Sequence, residues 1–234
     1  MRKITKTRAL SLLALSVALA SCTKPLVLSP PALIDDRTSF ATAQPIAEEG
    51  SKDLADLQSL LDEATRIVKT EAFRENLVGL GQPIAVAPFG ERVSPETVYT
   101  ALAGRDPAYT YVPTKIMWVD KGGNSNSGDG AGSLIRLTRD VQKNWTSGDL
   151  RKRSLAINSM AHELSHSLSR NPQYLDYVFI DRMFRLYWLH KSDAIASYTI
   201  GTVAQCTWLA EQEASVDIPA CLERYGLRKF NSNA

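Results

Sequence analysis

His162, Glu163 and His166 stand out for their chemistry, set in the run His162-Glu163-Leu164-Ser165-His166. The chain has only three histidines; the third is His190. In a helix, residues four apart share one face, about one turn or ~6 Å along the axis. Two imidazoles so placed can reach one metal ion, and zinc favours nitrogen ligands in tetrahedral geometry. Glu163 follows the first histidine directly and can face the fourth coordination position, where water would sit. Metal-assisted hydrolysis needs this arrangement: a cation to polarise a carbonyl and acidify water, and a carboxylate to take the water's proton.

A catalytic zinc usually takes three protein ligands and keeps one position open. Two histidines therefore leave a ligand to find. The longer pattern H-E-x-x-H-x-x-G-x-x-H fails here, because Ser169 stands at its glycine and Pro172 at its last histidine. The other common solution is a carboxylate from a later helix. Glu213 and Asp217 share one face of such a helix by their spacing, with Glu211 on another face and His190 as a further option.

The segment Glu211-Gln212-Glu213-Ala214-Ser215-Val216-Asp217, coming after the His-Glu-x-x-His run, resembles the E-x-x-x-D element of zincin metallopeptidases of the glutamate-ligand (gluzincin-like) type. The resemblance covers about residues 95–220 and is most specific at the histidine motif. It implies zinc held by His162, His166 and Glu213. It also implies that Asp217 accepts a hydrogen bond from a zinc-bound histidine, His162 first, fixing the ring tautomer. Glu163 is then the general base in hydrolysis of a peptide or protein substrate. His190, Tyr198 and Tyr225 are alternative donors to the transition state. In such proteins an edge strand precedes the active-site helix and pairs with an extended substrate; Ser133–Thr138 stands at that place in order. Rival readings are a catalytically weak zincin-fold lipoprotein that assists envelope assembly or binding, a binding lipoprotein with an incidental motif, and a zinc hydrolase of non-peptide amides.

The elements that must position these residues follow from the pattern of apolar residues. The motif helix should open near Gly148 or Asp149, show Ile157, Met160, Ala161, Leu164 and Leu168 to the core, and run to Arg170, where Asn171-Pro172 stops it. Before it, Ser51-Lys52-Asp53 starts an amphipathic helix with Leu54, Leu57, Leu60, Leu61, Ala64 and Ile67 in register. Further helices are expected over about 71–80, ended by Gly81 and Pro83, and from Pro95 to about Ala103 behind the N-cap Ser94. Ile84–Ala87, Lys115–Val119 and Ser133–Thr138 read as strands. Gly122 to Gly132 reads as a mobile loop, without the lysine and helix of a phosphate-binding loop. After the motif come helices over about 173–190, about 192–216 with a break near Gly201, and 219–225. The fold class is α+β, predominantly helical, zincin-like, with a small sheet preceding the active-site helix.

The N-terminal region reads as an address. Arg2, Lys3, Lys6 and Arg8 precede a short apolar run, Ala9 to Ala20, too short to span a bilayer comfortably. The run closes in Leu19-Ala20-Ser21-Cys22, which resembles the lipobox of bacterial lipoproteins. This implies a signal peptide over 1–21, lipidation of Cys22 and attachment to the membrane through that lipid; Thr23 rather than aspartate after Cys22 implies the outer membrane, facing the periplasm, in a Gram-negative host. Residues 22–50, rich in proline, serine, threonine and alanine, read as a tether, and 51–234 as one metallopeptidase domain. Losing four basic residues with the signal takes the formal charge from +2 to about −2, which gives no argument for nucleic-acid binding. Cys206 and Cys221 then remain as an even pair, a disulfide candidate in an oxidising compartment.

Overall fold

The structure is a computed structural model that describes residues 43–47, 51–86, 91–129, 132–169, 196–225 and 227. All belong to one unit, Ile34–Ala234. Among them the fold is α+β, with seven helices and small sheets.

Helix α1 (Lys52–Val68) begins where Ser51 is extended and its hydroxyl accepts the Leu54 N–H at 3.2 Å. This is an N-cap, which satisfies a donor the helix itself leaves without a partner. Leu57, Leu60, Leu61, Ala64 and Ile67 are buried as the spacing requires. Thr70 caps α2 (Glu71–Val78) in the same way through the Phe73 N–H. Gly81 follows at φ 67°, a left-handed turn that suits glycine. A hairpin of β2 (Ile84–Val86) and β3 (Glu91–Val93) leads to α3 (Pro95–Leu102), with Ser94 as cap and proline in the first turn.

The main sheet has four strands in the order β1 (Ala43–Pro45), β5 (Thr114–Val119), β7 (Gly132–Thr138), β6 (Ser125–Asp129). β1, β5 and β7 run parallel, and β6 returns antiparallel on β7. A short antiparallel pair joins β4 (Thr110–Tyr111) to β8 (Leu168–Ser169). The remaining helices are α4 (Arg139–Trp145), α5 (Leu150–Ser165), α6 (Ala196–Gln212) and α7 (Ile218–Arg224). The core lies where α1, α5 and α6 meet, and includes Leu60, Ile157, Met160, Ala161, Ile200, Val203 and Trp208. No helix among the described residues is long and apolar enough to cross a membrane.

Several expectations need correction. The expected tether over 22–50 reaches the sheet before it ends: Ala43 is buried, β1 pairs with β5, and the Ile46 N–H donates to the Ile116 carbonyl at 2.7 Å. Within the expected Gly122–Gly132 loop, Ser125–Asp129 forms β6, a strand supplied with partners by β7 despite its glycine and polar residues. Ser133–Thr138 is accordingly an interior strand, and among the described residues β1 and β6 are the edges. Gly201 does not break its helix; α6 runs through it. The motif helix ends at Ser165, short of Arg170. The expected 173–190 helix lies outside the described residues.

Candidate metal centre

Helix α5 carries the motif on its last turn. Asp149 opens the helix, its carboxylate accepting the N–H groups of Arg151 and Lys152. Ile157, Met160, Ala161 and Leu164 seat it in the core. His166 is the C-cap residue and keeps helical φ and ψ, so the four-residue spacing stays on one face. The chain then turns. The Ser167 N–H donates to the Leu164 carbonyl at 3.0 Å, and the Ser167 carbonyl accepts the Val112 N–H at 2.9 Å. Pairing of β8 with β4 begins at the next residue, so a strand pair fixes the end of the motif helix.

Three buried hydroxyls fix the same turn. Thr114 Oγ1 donates to the Val112 carbonyl at 2.8 Å. Its one proton is thereby used, so in the 2.8 Å contact between Thr114 and Ser133 the serine donates. In the 3.0 Å contact between Ser133 and Ser167 the donor must then be Ser167. The chain Ser167 to Ser133 to Thr114 ties the residue after His166 to the starts of β7 and β5.

The Nε2 atoms of His162 and His166 lie 3.2 Å apart. Tetrahedral zinc with Zn–N distances near 2.0–2.1 Å puts two ligand nitrogens ~3.3–3.4 Å apart, so the gap fits a shared cation. A proton shared between the rings also fits that distance. Glu163 is 5 % exposed, and a ligand oxygen of its carboxylate lies within 4.8 Å of both histidine nitrogens. His162, Glu163 and His166 thus form a group that could hold a metal ion.

Helix α6 packs antiparallel against α5. A Cβ built on Gly201 would sit 2.9 Å from the Asn158 carbonyl oxygen and 3.2 Å from the His162 Cβ. Further along, Asn158 Nδ2 donates to Gln205 Oε1 at 2.9 Å, and Gln205 Nε2 reaches Ser154 Oγ at 3.4 Å. Further still, Leu209 and Glu213 line a cavity of about 180 Å³ with Arg151, at the start of α5. As the numbering rises on α6 it falls on α5.

That polarity corrects the expected third ligand. From Gly201 to Glu213 is roughly 18 Å along the axis at ~1.5 Å per residue, so Glu213 sits at the end of α5 away from His162. Its carboxylate accepts the Ser215 hydroxyl at 2.9 Å in the turn between α6 and α7. Asp217 is the N-cap of α7 and accepts the Ala220 N–H; it does not support a histidine. Glu211 is held by Arg66 at 2.6 Å. Tyr225 lines the same distant cavity as Glu213. Of the two described candidates for transition-state donor, Tyr198 and Tyr225, Tyr198 lies at the motif, its ring centroid 4.7 Å from that of His162. His190 and Cys22 lie outside the described residues. Cys206 and Cys221 are joined in a disulfide, Cα to Cα 5.8 Å, that ties α7 to α6.

Sequence reasoning missed Gly201 and the hydroxyl chain. A glycine inside an otherwise apolar helical run signals close backbone approach as readily as a break, and here the close approach applies. The hydroxyls come from three separated segments, and no local pattern announces them. In the comparisons with known proteins, no protein-family model, no curated protein and no solved structure matches the chain.

Proposed function

We propose that this chain is a zinc-dependent, zincin-like peptidase of the bacterial cell envelope, exported and anchored through lipid on Cys22. The observation that carries the reading is the pair of Nε2 atoms 3.2 Å apart beside a buried carboxylate one residue from the first histidine. A bound zinc would supply positive charge to polarise a carbonyl and acidify water. His162 and His166 hold it by their Nε2 atoms. Glu163 accepts the proton of the attacking water and returns it to the leaving amine. The edge strand β6 offers backbone groups with which an extended peptide can pair, the role first expected of Ser133–Thr138. The Cys206–Cys221 disulfide suits an oxidising compartment and so supports export.

The antiparallel packing limits where a third ligand can come from. The first turns of α6 lie beside His162, so the proposed third ligand is a residue close in sequence to the start of α6 rather than Glu213 at its far end. His190 and Asp193 stand a few residues before Ala196 in the sequence. Replacing either by alanine tests this directly through zinc content.

Turnover is tested with an unfolded protein substrate. The wild-type chain should cleave denatured casein, a chelator should stop cleavage, and added zinc should restore it. Glu163→Gln should retain zinc and lose activity by at least ~100-fold, the lower end of general-base contributions. Full activity in that variant would sink the mechanism. A zinc-loaded wild type that cleaves nothing would favour the assembly or binding factor.

A further inference from the structure

Tyr198 lies in the first turn of α6, beside His162. The two ring centroids are 4.7 Å apart with the planes at 69°, an edge-to-face contact. On another side, the His166 ring lies 4.9 Å from His162 with the planes at 83°. Gly201 comes one turn after Tyr198 on the same face of α6 and presses its backbone toward the His162 Cβ. The imidazole of His162 is therefore bounded at its root by Gly201 and at its ring by Tyr198. A histidine side chain has a few staggered χ1 wells and a broad χ2, and a ring at this distance removes the orientations that turn toward α6. Tyr198 is 44 % exposed, so burial in the core does not account for an aromatic residue here.

We infer that the ring of Tyr198 positions His162, holding its imidazole in the orientation that brings Nε2 to within 3.2 Å of that of His166. The consequence for metal binding rests on the zinc reading above; the contact itself rests on ring geometry alone. The ring does this, not the hydroxyl, so phenylalanine should substitute for tyrosine and alanine should not. Hydrogen-bonded partners that orient a metal-binding histidine typically contribute 10–100-fold to affinity, and that scale is taken here for a packed ring acting on the same orientation.

The test uses the full chain, with zinc alone as the probe, and two readouts. The first is the NMR spectrum of the imidazole protons of His162 in metal-free protein, assigned with His162→Gln. The second is zinc affinity by competition with a chelating dye. Tyr198→Phe should keep the ring-current-shifted His162 signals and bind zinc within about 3-fold of wild type. Tyr198→Ala should move those signals toward free-histidine values and weaken zinc about 10-fold or more, with the circular dichroism of the fold unchanged. Unchanged signals and affinity in Tyr198→Ala would overturn the inference. Equal loss in Tyr198→Phe would overturn it too, by assigning the role to the hydroxyl. A wild type that binds no zinc while the Tyr198→Ala shift occurs would remove the metal reading, and with it the use assigned to the contact.

Discussion

At the scale of single residues, the acidic side chains after the motif divide by what they already hold. Glu213 closes a turn through Ser215, Asp217 caps α7 and Glu211 binds Arg66. Glu213→Ala should therefore leave zinc content unchanged, as measured by atomic emission on protein purified without chelators. The same measurement on His190→Ala tests the chain's remaining histidine. Asp217→Ala should cost about 1 kcal/mol, the usual loss of a helix cap, read from urea unfolding and without loss of metal. His162, Glu163 and His166 were legible in the sequence because helical periodicity alone sets their relation. Glu213 was misassigned because a spacing of four fixes a shared face within one helix but says nothing about which end of another helix it meets. Only the antiparallel packing of α6 on α5 supplies that.

At the scale of elements, the contact between α5 and α6 governs the site. Gly201→Ala would place a methyl group 2.9 Å from the Asn158 carbonyl oxygen, a backbone atom with little freedom to move. The helices should separate at the level of His162. The expected cost is roughly 1–3 kcal/mol in thermal or chemical unfolding, as for other overpacked interiors, together with weaker zinc binding. The second half of α6 is tied to α7 by the disulfide from Cys206. Cys206→Ser with Cys221→Ser should cost about 3 kcal/mol for a loop of this length, while the site, at the opposite end of α6, keeps its zinc. Caps and amphipathic stripes made α1, α2 and α3 readable to within a few residues. The strand β6 was not readable. Its Ser, Asn and Gly residues have low strand propensity, and it forms because β7 offers a ladder to complete. The same holds for β1, whose strand character comes from β5 rather than from its own composition.

At the scale of the whole molecule, α1 is fastened to α6 by charged and polar contacts above the shared core. Glu63 accepts from Arg66 at 2.8 Å and from the Trp208 indole at 2.8 Å, while Arg66 also holds Glu211. The guanidinium of Arg153 lies over both Trp145 and Trp208, at 4.5 and 5.3 Å. The hydrogen bond from Arg66 does most to hold the Glu63 carboxyl below its ordinary value; burial opposes it, and the Trp208 hydrogen bond adds a smaller lowering. Its folded pKa is thus depressed. The stability it contributes is present above the ordinary carboxylate value and is lost as pH falls from there through the lower, folded value. Unfolding free energy measured from pH 7 to pH 3 should decline in acid, and Glu63→Gln should flatten that decline. The α+β class was legible from the alternation of helical and strand patterns. The hold of α1 on α6 was not, since the residues that make it are more than a hundred positions apart.

The claim on which the rest depends is that His162 and His166 hold one zinc ion in the folded chain. The direct measurement is zinc stoichiometry in protein purified without chelators at neutral pH, for wild type and for His162→Ala and His166→Ala, with circular dichroism confirming the fold. About one zinc per wild-type chain is expected, as a single mononuclear site requires, and little or none in either variant. A folded wild-type chain that carries no zinc and takes none up, or variants that bind it as well as wild type, would contradict it.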